Sequence, residues 1–181
     1  MRSRPRRPRP PLDEEKLNEL MLAYVARFAT SRAKLAAYLS RKLKERGWAG
    51  GGEPPVEALV TKAAQVGFVD DAAFALAKAR SLTARGYGEH RVGQALHAAG
   101  IAGEDGEAAR GHARDDAVEA ALHFAKRRRI GPFAAVLPDP QAREKALAAM
   151  VRAGHGFRLA KAILALRPGA AVDSQALEDE R

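Results

Sequence analysis

A helix-opening pattern that recurs three times constrains this chain more than any other feature. In each copy a small or polar residue is followed by apolar residues four and eight positions later: Ser31-Leu35-Leu39, Gly88-Val92-Leu96 and His155-Leu159-Ile163. Residues four apart on an α-helix lie one above the other, so each copy opens a helix with a single oily edge. The intervals between copies are too long and too unequal for a short-period solenoid. They suit three tandem helical modules whose loops differ in length. Such arrays present an extended surface to a macromolecule, which points away from enzymology.

Composition narrows the choice further. The 181 residues could form one or two ordinary domains, or three small modules leaning on one another. A hydrophobic fraction of 46% is ample for a core, but much of it is alanine and only 6% of the chain is aromatic, so the cores should be narrow. The absence of cysteine excludes disulfides, thiolate nucleophiles and sulfur-ligated metals. No apolar run approaches the roughly 20 residues that cross a bilayer. The opening MRSRPRRPRPP lacks the apolar stretch of a secretory signal. A cytoplasmic protein without membrane contact is expected. The net charge of +9 favours polyanions or acidic protein surfaces as partners.

Residues 1–11 carry five arginines and four prolines with no acid, which predicts a disordered basic arm. A first repeat of two helices is expected over 12–49. Asp13 caps its first helix, which runs through Leu17, Leu20, Met21, Tyr24 and Phe28, and Ser31 opens the second. A second, three-helix repeat is expected over 54–101. Pro54-Pro55 start it, Asp70-Asp71 begin a helix bearing Phe74, Ala77 and Leu82, and Gly88 or Glu89 begins another. A third repeat is expected over 103–166, with a helix capped by Asp115 or Asp116 and another opened by Asp139-Pro140. Residues 167–181 turn acidic and should form a flexible tail. No segment alternates with period two, so the fold class is all-α.

Catalytic chemistry finds no footing. His90, His97, His112, His123 and His155 show no metal-binding spacing and read as surface or boundary residues. The acid pairs Asp70-Asp71 and Asp115-Asp116 each precede an apolar-periodic segment, so helix capping explains them. No cofactor, metal or enzymatic activity is expected. The basic clusters are more suggestive. Lys126, Arg127, Arg128 and Arg129 crowd a helix C-terminus more densely than the helix dipole requires. Arg80, Arg85, Tyr87, His90 and Arg91 surround the turn before the second recurring helix. Tyr87 there either stacks on a base or partner side chain, or staples the turn. Arg41, Lys42, Lys44 and Arg46 are adequately explained as a solvated face.

The stretch VGFVDDAAFALAKARSLTARGYGEHRVGQALHAAGI, residues 66–101, resembles the most recognisable segment of the RecX family. The matching features are Gly67-Phe68-Val69-Asp70-Asp71, Phe74-Ala75, the glycine turn from Gly86 to Gly88, Arg91-Val92, Leu96 and Gly100-Ile101. YVARFATSRAKLAAYLSRKLKERG, KRRRIGPF and KALAAMVRAGHGFRLAKAIL also fit, so the resemblance spans roughly residues 13–166. Ala99 stands where the family often has a lysine or arginine, and the basic arm lies outside the pattern. The resemblance implies an elongated, curved array of tandem three-helix repeats. Its implied partner is the RecA recombinase filament on single-stranded DNA, with suppression of ATPase, strand exchange and co-protease activity and so of recombination and the SOS response. A monomer lodging in the filament groove is implied, with DNA met directly or through the filament. The nine residues of the two basic clusters are the candidate contacts. The alternative is an independent basic DNA- or RNA-binding protein of helix-turn-helix or helical-repeat type.

Overall fold

In a computed structural model, which describes residues 10–181, the chain is all-α. The described helices are α1 (Glu14–Val25), α2 (Arg32–Arg46), α3 (Val56–Gln65), α4 (Asp71–Thr83), α5 (Glu89–His97), α6 (Glu107–Asp115), α7 (Ala117–Arg128), α8 (Pro140–Arg152), α9 (Phe157–Ala165) and α10 (Ser174–Glu178). Short 3-10 turns cover Gly103–Gly106 and Gly131–Phe133. Among the described residues there is no strand. One isolated bridge joins Leu12 to Trp48, near the foot of α2. Of the expected basic arm, residues 1–9 lie outside the described residues. The Pro10 carbonyl accepts a hydrogen bond from Arg46 Nε at 2.9 Å.

The chain divides after Phe74 into two compact units. In the first, Leu12, Leu17, Met21, Leu35 and Leu39 from the opening segments bury together with Leu59, Val60 and Ala63 of α3 and with Val69. The helix expected to open the second repeat at residue 54 thus completes the first core. Asp13 caps α1 by accepting from the Lys16 amide at 2.9 Å, and Ser31 caps α2 through Lys34. The pair Asp70-Asp71 splits its work. Asp70 caps α4 through the Ala73 amide at 2.8 Å. Asp71, buried, accepts from the Arg32 amide at 2.8 Å and from Arg32 Nε at 3.1 Å, fastening the start of α2.

The second unit is built on Val118, Ala121, Phe124 and Ala125 of α7 with Met150, Leu159, Ile163 and Leu164 of α8 and α9. Leu177 of α10 joins this core, and burying a leucine contributes about 1.5–3 kcal/mol. The tail expected to be flexible is therefore packed at that point. In α4 the buried stripe is Ala75, Ala79 and Leu82, whereas the expected Ala77 is exposed. Asp116 caps nothing: it ends α6 and starts α7 without a side-chain cap. Its carboxylate instead accepts from Thr83 Oγ1 at 3.3 Å and lies 3.4 Å from His112 Nε2.

Aligning the turns refines the recurring pattern. The N-caps are Ser31, Gly88 and Gly156, so the third copy opens one residue later than His155. The preceding positions, Thr30, Tyr87 and His155, are then equivalent. Thr30 Oγ1 and His155 Nδ1 are the buried side-chain polar atoms left without a hydrogen-bond partner among the described residues. In the second unit the two glycine turns lock backbone to backbone. The Gly88 amide donates to Ala153 O at 3.0 Å and the His90 amide to Gly154 O at 3.1 Å. A Cβ on Gly88 would collide with Gly154 O, and one on Gly154 with the Arg91 backbone.

Candidate functional site

This lock places the basic residues of the α4–α5 turn beside the end of α7. Gly86 adopts a positive φ of 79°, and a Cβ there would come within 3.0 Å of the Phe124 amide. Close approach at Gly86 lets Arg127 Nη1 donate to the Arg85 carbonyl at 2.9 Å. The Arg85 guanidinium lies over the Tyr87 ring at 5.4 Å. The guanidinium groups of Arg127 and Arg128 lie over the Phe124 ring at 5.8 and 5.6 Å. Tyr87 is half-buried against the core of the second unit. Arg85, Tyr87, Arg127 and Arg128 form one cationic ridge.

The other candidates flank it. Arg129 ends α7 in the left-handed region (φ 54°, ψ 49°), as no other non-glycine described residue does. Its amide bonds Lys126 O at 3.1 Å and the Ile130 amide bonds Ala125 O at 3.0 Å. That is a Schellman turn with arginine in the glycine position, at a cost of about 1 kcal/mol. Lys126 faces a different side, lining a cleft with Glu119, His123 and Glu178. Arg91 is exposed and donates to Gln94 Oε1 at 3.3 Å. His90 lines a cleft of about 380 Å³ with Arg114 and Asp115. Arg80 stands apart, on a cleft shared with His112, Asp116 and Glu119.

No ion pair neutralises Arg85, Arg91, Lys126, Arg127, Arg128 or Arg129 among the described residues. On α6, by contrast, Arg110 and Arg114 both bond Glu107 and hold its carboxyl below the usual range.

His155 departs from the surface reading. It is 3% exposed, its Nε2–H donates to Gly86 O at 3.1 Å, and Phe124 meets its ring edge-on. Burial pushes its pKa down to about 4 against the opposing pull of the Gly86 carbonyl, so it is neutral at pH 7. Its place is structural: it holds the Gly86 turn that carries the ridge. Among the described residues no group of three histidines or carboxylates could hold a metal ion, and no helix is long and apolar enough to cross a membrane.

No family model matches the chain. It is, however, 33% identical over 175 residues to the regulatory protein RecX of Myxococcus xanthus (strain DK1622), covering 91% of each chain. The chain belongs to the RecX family. A second relative, the regulatory protein RecX of Agrobacterium fabrum (strain C58), is 31% identical over 139 residues, covering 75% of this chain and 74% of its own. The crystal structure of RecX from Lactobacillus salivarius matches with a TM-score of 0.59 at 16% identity, covering 83% of this chain and 94% of that one. At that identity the likeness speaks for the fold. Both curated relatives are named as regulatory proteins.

Proposed function

We propose that this RecX-family chain regulates the RecA recombinase by binding its filament on single-stranded DNA. In this reading it lowers ATPase, strand-exchange and co-protease activity and so tunes recombination and the SOS response. The chain acts by binding, as a cytoplasmic monomer, through its successive helical repeats. The observation that carries the reading is the identity with a named regulatory protein over nine-tenths of both chains. The ridge of Arg85, Tyr87, Arg127 and Arg128, flanked by Arg80, His90, Arg91, Lys126 and Arg129, supplies cations suited to a groove of acidic protein and phosphate. Several weak contacts made by tethered repeats act together, because tethering raises their effective concentration.

The test is DNA-dependent ATP hydrolysis by purified RecA, with and without this chain. Hydrolysis should fall at substoichiometric to stoichiometric ratios. Turnover left untouched by folded protein sinks the reading. An independent nucleic-acid binder is the second reading, favoured by the same unneutralised arginines. It requires tight binding to naked DNA or RNA at physiological salt, falling steeply as salt rises.

A further inference from the structure

The cleft of about 380 Å³ beside the glycine lock holds polar groups that the fold leaves unanswered. His155 lines it, is 3% exposed, and has committed only one of its ring nitrogens. With Nε2–H donating to Gly86 O, the neutral ring carries a lone pair at Nδ1, and that atom has no hydrogen-bond partner. A buried acceptor left bare is costly, so the cleft wall calls for a donor.

Asp115 lines the same cleft and is equally unengaged. It ends α6, the end of a helix that favours cations, and α7 beyond it starts without a side-chain cap. Among the described residues no hydrogen bond or ion pair engages its carboxylate. Glu89, also on the cleft, has no ion pair there either, although its place in the first turn of α5 suits the helix dipole. The guanidinium groups on the rim are already taken, Arg114 by Glu107 at 3.1 Å and Arg181 by Glu178 at 2.7 Å. The unpaired charge of the cleft is therefore negative. Ala117 and the buried Leu159 give it an apolar wall.

These demands select one kind of ligand. An anion would face a carboxylate and a bare lone pair. A metal ion needs several ligands at one point, and no group of three histidines or carboxylates among the described residues could hold one. A neutral hydroxyl would answer Nδ1 and leave Asp115 unpaired. A primary ammonium answers both, because it has three N–H donors and a positive charge. A short aliphatic stem behind it suits the apolar wall, and the volume is that of a small-ligand site.

We propose that this cleft binds a primary aliphatic amine, its ammonium head bridging the Asp115 carboxylate and His155 Nδ1 and its stem lying against Ala117 and Leu159. The amine is either a free small molecule or the lysine side chain of another protein. The site is separate from the cationic ridge and needs no recombinase. An occupant also completes the bonding of the ring that steadies Gly86, so binding stabilises the second unit.

The experiment is an amide NMR titration of the isotope-labelled full chain, without RecA, at neutral pH and constant ionic strength. The probes are n-butylamine, n-butanol and butyrate, which share a stem and differ in the head, with Nα-acetyl-lysine amide as the fourth. n-Butylamine should bind at least about tenfold tighter than the alcohol or the carboxylate, the worth of one charge-assisted hydrogen bond. Its shifts should gather at Asp115, Ala117 and Gly156, and the His155 Nδ1 resonance should move as its lone pair accepts. Nα-acetyl-lysine amide binding tighter than n-butylamine assigns the site to a protein lysine; equal or weaker binding assigns it to a free amine. Asp115→Asn should lose about tenfold for n-butylamine while circular dichroism shows it folded, since the exposed carboxylate holds nothing in place. Glu104→Gln, an exposed acid outside the cleft, should bind n-butylamine like the parent and so exclude a general charge effect. Gly156→Leu should abolish binding without unfolding, because a side chain there enters open space on the cleft wall. Equal affinity for amine and alcohol, shifts scattered over acidic residues elsewhere, or full amine binding by Asp115→Asn overturns the proposal. Because RecA is absent, failure here leaves the regulatory reading standing, and failure of that reading leaves this one standing.

Discussion

The same helix-opening turn is secured in two ways in the two units. In the first, side chains hold it: Ser31 caps α2, and the buried Asp71 carboxylate grips the Arg32 amide and guanidinium. In the second, main chain holds main chain: Gly88 and Gly154 meet so closely that neither tolerates a side chain, and His155 steadies Gly86 from below. A carboxylate bolt tolerates small shifts because side chains adjust. A backbone lock is rigid, and it fixes the residues that follow it. Arg85, Tyr87 and Arg91 surround that rigid turn, so the cationic ridge is presented from the stiffer of the two designs.

The largest expected effect breaks the backbone lock. Gly88→Val should destabilise the second unit by about 3 kcal/mol, because the clash is with backbone that cannot move aside. Gly156→Ala is the matched control: a Cβ there meets nothing within 4 Å, and Gly156 has a φ of −58° that alanine adopts freely. Thermal unfolding by circular dichroism should show a large loss for the first and almost none for the second. Equal losses would mean that the turn is not held by close approach.

The next effect is a pH dependence confined to the second unit. His155 has a folded pKa of about 4, lowered from 6.5 by burial. The unfolded chain therefore binds the extra proton first. The stabilising contribution is complete above pH 6.5 and is lost as pH falls from there to about 4, by up to about 3 kcal/mol. Chemical denaturation across that range should show the loss in the parent chain and much less of it in His155→Gln.

Asp71→Ala should follow, at about 2 kcal/mol, because it leaves the Arg32 amide without its acceptor at the start of α2. That loss should fall on the first unit, visible as faster hydrogen exchange in α2. The smallest effect has the opposite sign. Arg129→Gly removes a left-handed arginine and should stabilise the Schellman turn by about 1 kcal/mol, while taking one cation from the end of α7. A more stable chain with weaker regulatory activity would mark Arg129 as kept for its charge.

Local signals were legible where the chemistry is local. Asp13, Ser31 and Asp139 each cap the helix that their spacing announces, and the Leu35-Leu39 and Val92-Leu96 edges are buried. What the sequence withheld depends on partners distant in the chain. Asp116 precedes an apolar stripe as a cap should, yet Thr83 and His112 claim its carboxylate. His155 is polar and adjoins a glycine, which suggests surface, but a ring and a carbonyl from elsewhere enclose it. Phe28 keeps helical spacing with Tyr24, but α1 has ended before it and no core remains to receive it. The acidic tail has one leucine, and nothing in its spacing reveals that Leu177 reaches a core. Within the candidate site, spacing identified both basic clusters. Only the fold shows that Arg85 and Arg127 meet, whereas Arg80 belongs to another cleft.

The most direct measurement is the affinity of this chain for RecA filaments on single-stranded DNA, set beside its affinity for the same naked strand. The parent chain should bind the filament at least about tenfold more tightly than the naked strand, with Arg127→Ala/Arg128→Ala losing about five- to tenfold on the filament while remaining folded. Equal affinity for filament and naked strand, or a double variant that binds the filament as well as the parent, would contradict a cationic ridge built for a nucleoprotein polymer.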